Sequence, residues 1–244
     1  MTEKLYLEDS ALTVFRARVV ERRAGAVVLD RTAFYATSGG QPHDLGTLGG
    51  VPVTGVEAEG DRVVHAVAGE VPDGEVEGRV DPARRRDHLE QHHGQHILSR
   101  AFIEECGAAT ASFHLGPAAS TIDLEVRDLA EAEALRAEDL ANRIVRENRA
   151  VTATWHSVAE AQALGLRKLP DGLDRVRVVT IQDFDRCGCG GTHPARTGEI
   201  GQIRVLGWEK TKGKIRVAFV CGGRALRDGR DRAQALAAAA AAFG

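Results

Sequence analysis

Two short segments constrain this chain more than anything else in it. The first is Gln91-His92-His93-Gly94-Gln95-His96 and the second is Cys189-Gly190-Gly191-Thr192-His193. On a helix, His92 and His96 stand at i and i+4, so both imidazoles project from one face and can share one metal ion. In the second segment a thiol and an imidazole flank three residues, two of them glycines that let the backbone turn tightly enough to aim both at one point. By itself, the first pair also fits two packed or solvated histidines. Together the segments supply three imidazoles and one thiolate, a ligand set that suits zinc. The pairs lie 93 positions apart (189 − 96), so any fold that uses them must bring distant parts of the chain together. His93 points about 100° away from His92 around a helix, which suits packing or support of the site better than ligation.

A metal here has to be justified by chemistry. A chain of 244 residues with 43% hydrophobic content can build a core without metal or disulfide. Structural zinc sites favour several cysteines in closed sets, whereas Cys189 is the one cysteine assigned here, with Cys187 as a spare thiol. Zinc lowers the pKa of bound water to roughly 7 and polarises carbonyl oxygens, both of which suit ester hydrolysis. The HExxH pattern of zinc peptidases is absent, because the residue after His92 is His93. Of the four cysteines, Cys187 and Cys189 are too close in sequence for an unstrained bridge. Reduced thiols, a mixed and charged Met1–Ser10 segment and no run of about 18 apolar residues lead to the expectation of a cytoplasmic protein without a membrane span.

The expected fold class is α+β. From Leu12 to about Val80, short apolar alternations are punctuated by Gly25, Gly39-Gly40, Gly49-Gly50, Gly60 and Pro72-Asp73-Gly74, the pattern of a small β-barrel or sandwich. Pro82 then suits the first turn of a helix, which is expected over about 86–105. A strand is expected at 120–126 and a second helix at 128–148. Further strands are expected at 176–181, 203–206 and 214–221, with a helical tail ending in the alanine run 237–242. The expected divisions are residues 1–82, 83–226 and 227–244.

The paired motifs resemble the editing-domain signature of alanyl-tRNA synthetases and their free-standing relatives, the AlaX-type trans-editing proteins. The flanking text is similar too: Gly94-Gln95-His96-Ile97-Leu98-Ser99, Thr197-Gly198-Glu199-Ile200-Gly201, and the glycine-rich stretch from Phe34 to Gly46 that contains Ser38-Gly39-Gly40-Gln41-Pro42. The resemblance spans about residues 10–226. It implies zinc (Zn2+) held by His92, His96, Cys189 and His193 as the catalytic centre. It implies an N-terminal β-barrel followed by an α+β editing core of the alanyl/threonyl-tRNA synthetase type. It also implies hydrolysis of tRNA(Ala) carrying serine, and of its glycine counterpart, at the acceptor end and without ATP. Arg186-Cys187-Gly188 departs from the pattern by adding a thiol near the metal.

Within that frame, Thr110, Ser112 and Thr121 are candidates for the amino-acid pocket, with Gln95 as a further polar contact. Gly39, Gly40 and Gln41 are expected at its entrance. Arg84, Arg85 and Arg86 are expected to meet tRNA phosphates, although a solvated surface face explains such a run equally well. The net charge of −3 and pI near 6.3 weigh mildly against a nucleic-acid binder. They keep two alternatives open, a non-catalytic zinc-containing tRNA-binding module and a zinc hydrolase of small esters. With no long coiled coil in view, a monomer is expected.

Overall fold

The computed structural model describes residues 1–166 and 174–243. Its first part is built of eight strands: β1 (Glu3–Lys4), β2 (Val14–Arg23), β3 (Ala26–Leu29), β4 (Arg31–Thr32), β5 (Gly46–Leu48), β6 (Val51–Glu59), β7 (Arg62–Val67) and β8 (Glu75–Val80). Hydrogen bonding runs β2-β3-β7-β6-β5-β8 and returns to β2, a closed barrel, while β1 and β4 pair beside it. Alternation explains the inside. Phe15 and Ala17 of β2 turn inward and join Leu29, Phe34, Leu48, Val56 and Val63, while their sequence neighbours face solvent. Gly78 pairs with Phe15 across the sheet, and a Cβ there would lie 2.3 Å from the Phe15 ring, so the barrel wall needs its glycine.

Helix α1 (Pro82–Cys106) follows at once. The Asp81 carboxylate caps it by accepting from the Ala83 and Arg84 amides, Pro82 occupies the first turn, and Gly107 ends it at φ +66°. Pro82 thus stands in the first turn, as the sequence indicated, and the helix runs four residues ahead of the apolar pattern that begins near Arg86. Then come β9 (Thr110–Leu115), β10 (Ser120–Leu124), α2 (Glu131–Arg146), β11 (Val151–Ser157), α3 (Val158–Ala163), β12 (Arg175–Ile181), β13 (Asp185–Gly188), β14 (Ile203–Thr211), β15 (Lys214–Cys221) and α4 (Gly222–Phe243). Two antiparallel sheets form, β14-β15-β10-β9 and β11-β12-β13. Mixed strands and helices make the fold α+β.

A second core fills the space between these sheets and helices α1 and α2. Ile97, Leu98, Ala101 and Phe102 from α1 meet Ala137, Ala141 and Ile144 from α2 and Ile122, Val217 and Phe219 from the larger sheet. Helix α1 is buried on most of its circumference. At Gly94 an added Cβ would lie 2.3 Å from Cys221 Sγ, so helix and sheet approach to a distance only glycine allows. In α4, Arg224 pairs with Asp87 at 2.6 Å and anchors the first turn, whereas residues 231–243 are exposed throughout. Gly244, the last residue of the expected tail, lies outside the described residues. No helix among the described residues is long and apolar enough to cross a membrane.

Candidate metal centre

His92 and His96 sit one turn apart on α1, and β13 delivers the chain directly into Cys189 and the loop to His193. The fold closes the 93-residue gap: one ligand atom from each of His92, His96, Cys189 and His193 lies within 4.8 Å of the others. His92 Nε2 is 3.1 Å from Cys189 Sγ and 3.3 Å from His96 Nε2. Tetrahedral zinc with ordinary bond lengths sets its ligand atoms about 3.3–3.6 Å apart, close to these two separations. His193 Nε2 is buried with no hydrogen-bond partner, so that nitrogen is not committed to the protein and is available to a metal. The loop comes so close that a Cβ on Gly191 would lie 2.2 Å from His92 Nε2.

Electrostatics favour neutral, ligand-ready imidazoles. Burial, followed by the neighbouring imidazoles, pushes the pKa values of His92 and His193 well below the usual histidine range. Burial raises the Cys189 thiol, while a hydrogen bond from the Gly191 amide and the nearby Arg177 guanidinium pull it back.

The loop is held from three sides. Arg177, a cation within the apolar strand β12, donates to the carbonyls of Cys189 (3.0 Å), Gly191 (3.1 Å) and Leu7 (3.0 Å). The His193 amide donates to Ser10 Oγ at 3.1 Å. Gln41 Nε2 donates to Thr192 Oγ1 at 3.0 Å. Arg177 and Ser10 were not anticipated from the sequence. A charge inside Val176–Ile181 is the signal that could have singled out Arg177, since a buried charge needs partners. Cys187, the extra thiol, lies 3.2 Å from His96 Nδ1, on the far side of the ring from the proposed metal.

The other anticipated residues divide. A cavity of about 370 Å³ opens beside His96 and is lined by Gln95, Ser99, Thr110 and Cys187 among others. In it Gln95 Nε2 donates to Ser99 Oγ at 2.7 Å, and Ser99 Oγ lies 2.7 Å from Thr110 Oγ1. Ser112 and Thr121, by contrast, lie on the opposite face of the sheet. Phe113 and Ile122 pair across β9 and β10 and face the core, with the Phe113 ring 5.8 Å from His92. Their neighbours Ser112 and Thr121 must therefore point outward, and Ser112 donates to Asp123 at 2.9 Å, which in turn accepts from Arg216.

Gln41 is also corrected. It is fully buried and its amide is engaged by Thr192, so it shapes the motif rather than the entrance. Gly39 and Gly40 are exposed at the tip of a two-residue hairpin with φ +55° and +85°. Gly40 touches β9, its carbonyl accepting from the Leu115 amide at 3.1 Å.

Arg85 cannot meet a phosphate. It is 2% exposed and pairs with the buried Asp44 at 2.5 Å. It also donates to the carbonyls of Ser10 (2.7 Å) and Ala33 (2.5 Å). A helix buries one side of any run of three residues, and here that side falls on Arg85. Arg84 is half-buried with Nε on the His43 carbonyl, whereas Arg86 is exposed beside Glu90.

The fold and this site define an α+β protein with a three-histidine, one-cysteine centre suited to zinc beside a polar cavity. Residues 176–218 match the Threonyl and Alanyl tRNA synthetase second additional domain. Over 242 residues the chain is 38% identical to an alanine–tRNA ligase of Pyrococcus abyssi, covering 93% of this chain and 26% of the ligase. Over 206 residues it is 34% identical to the alanyl-tRNA editing protein Aarsd1 of Danio rerio, covering 82% of this chain and 50% of that protein. The chain belongs to the alanyl-tRNA editing family. It spans about a quarter of the length of the ligases and half that of Aarsd1.

Proposed function

We propose that this protein is a zinc-dependent aminoacyl-tRNA deacylase, which hydrolyses the ester of mischarged tRNA(Ala), chiefly that carrying serine. The observation that carries this reading is the convergence of His92, His96, Cys189 and His193 within 4.8 Å beside a polar cavity, in a chain related to an alanyl-tRNA editing protein. Zinc held by those four residues would supply water activated at neutral pH and polarisation of the ester carbonyl.

The protein's own groups do the selecting. The cavity beside His96 receives the aminoacyl group, and Gln95, Ser99 and Thr110 line it with a connected row of polar atoms. Such a row would otherwise be satisfied by water, and a serine hydroxyl can join it where an alanine methyl cannot. Sites built to hydrogen-bond a hydroxyl reject analogues that lack it strongly. Arg177, Ser10 and Gln41 hold the Cys189–His193 loop so that its side chains stay aimed at one point. In this reading residues 1–82 form a barrel unit, 83–226 the editing unit and 227–244 a helical extension. Arg86 and Arg84 supply salt-sensitive attraction to the acceptor stem.

Cys189→Ala tests the zinc role directly. Zinc content measured on the purified protein should fall from about one per chain towards none, and loss of serine from Ser-tRNA(Ala) should collapse with it. A variant that keeps full deacylase activity without zinc contradicts the metal assignment. Zinc-loaded wild type that binds tRNA but releases no amino acid would instead identify a structural-zinc RNA module.

A further inference from the structure

His93 is the one histidine of the first motif that the proposed chemistry leaves unused. It is fully buried. Its Nδ1 lies 2.8 Å from Nδ1 of His193, and the two rings meet edge to face with centroids 5.1 Å apart. Two nitrogens at that distance share one proton, and its position decides what the rest of each ring can do. If His93 Nδ1 carries it, His193 must carry its own proton on Nε2, the atom that would face the metal. If His193 Nδ1 carries it, His193 Nε2 presents a lone pair to the cluster and His93 keeps its proton on Nε2.

We infer that His93 is a positioning residue that accepts the Nδ1 proton of His193, fixing the tautomer and ring orientation in which His193 Nε2 binds zinc. The inference rests on the zinc reading given above. Three observations support it. His193 Nε2 and His93 Nε2 are both buried without a hydrogen-bond partner, so each ring is held through its Nδ1. The neighbouring backbone is fixed through the His193 amide on Ser10 Oγ at 3.1 Å, so what remains to be set are the two side-chain torsions that aim the ring. And His93 is carried by α1, the same rigid helix that carries His92 and His96, so the orienting atom and two of the other ligands move as one body. The usual partner of a metal-bound histidine is a carboxylate, a carbonyl or water; here a second imidazole takes that place.

The test compares wild type with His93→Leu, which fills similar volume without an acceptor, and His93→Asn, whose carboxamide can place an acceptor near the lost Nδ1. Zinc affinity is read by competition with a chromophoric chelator, and the melting temperature of each metal-free protein is measured alongside. The expected result is a loss of zinc affinity of about 10–100-fold in His93→Leu, the range found when a partner of a metal-bound histidine is removed. His93→Asn should recover most of it, with both metal-free proteins melting close to wild type. Cobalt substitution gives a second readout: the visible absorption of a tetrahedral site should broaden and weaken in His93→Leu and return in His93→Asn. Equal zinc affinity in all three proteins overturns the positioning role while leaving the zinc site intact. Equal losses in Leu and Asn variants, accompanied by lower melting of the metal-free chains, also overturn it in favour of packing alone. Failure of wild type itself to bind zinc overturns the metal reading on which the inference stands.

Discussion

Arg85 and its two neighbours show how far identity and spacing carry at the scale of single residues. Three consecutive arginines read as a basic surface, yet the middle one closes a buried chain of contacts from Asp44 through Arg85 to the Ser10 carbonyl, and Ser10 then holds the His193 amide. Breaking a buried ion pair by removing one partner leaves an uncompensated charge. Arg85→Ala should therefore lower unfolding stability by about 3–5 kcal/mol, read from urea midpoints. Arg86→Ala, at an exposed site, should change stability little and instead weaken tRNA binding at low salt. Equal stability of the two variants would contradict the burial argument. The clustering of His92, His96, Cys189 and His193 was legible because imidazole and thiol at those spacings have few other joint uses. The burial of Arg85 and Gln41 was not, because it depends on which side of a helix or loop meets the barrel.

At the scale of elements, β9 holds the clearest lesson. Plain alternation puts Thr110, Ser112 and His114 on one face of a strand. The pairing with β10 slips between Asp123 and Leu124, so that Ser112 stands opposite Asp123 and Thr110 opposite Leu124. One extra residue on β9 turns Thr110 to the face of Ser99 and His96, while Ser112 stays outside. A bulge has no periodic signature, which is why the sequence grouped Ser112 and Thr121 with the pocket. The expected outcome is that Thr110→Val lowers serine-over-alanine discrimination by roughly tenfold or more, as loss of a hydrogen bond to a substrate hydroxyl does. Ser112→Ala should leave it within about twofold of wild type, as a change on the far face of the sheet does. Comparing deacylation of the two charged tRNAs by each variant decides it. The reverse pattern would place the pocket on the outer face. Strand β13 and helix α3 were missed because they are short, and Arg186-Cys187-Gly188 has neither strand propensity nor alternation; β11 was missed because only its first residue is buried, so it shows no apolar alternation.

For the molecule as a whole, barrel and α+β core are separate apolar clusters, joined by α1 and by polar contacts such as Arg85 to Asp44 and Gln41 to Thr192. The sequence showed the change of character near Asp81 but not these polar links, which join residues up to 183 positions apart. The barrel carries its own pH sensitivity. His65 is fully buried with Nε2 2.8 Å from Thr32 Oγ1, and burial lowers its pKa to about 4. The unfolded chain, with a histidine pKa near 6.5, takes up that proton more readily than the native state does. His65 therefore stabilises the fold fully above about pH 6.5, and its contribution is lost as pH falls towards 4. Denaturation midpoints measured between pH 8 and 4 should drop below about pH 6.5, and less steeply in His65→Gln. A flat profile would contradict the burial of an uncharged ring.

The central claim is that a zinc centre beside a hydroxyl-seeking cavity removes the wrong amino acid and spares the right one. Its most direct test is the rate at which the wild-type protein, with zinc bound, releases amino acid from Ser-tRNA(Ala) and from Ala-tRNA(Ala) side by side. The account predicts rapid release of serine, little release of alanine, and no requirement for ATP. Equal rates on both substrates, or no hydrolysis of either by the zinc-loaded protein, would contradict it.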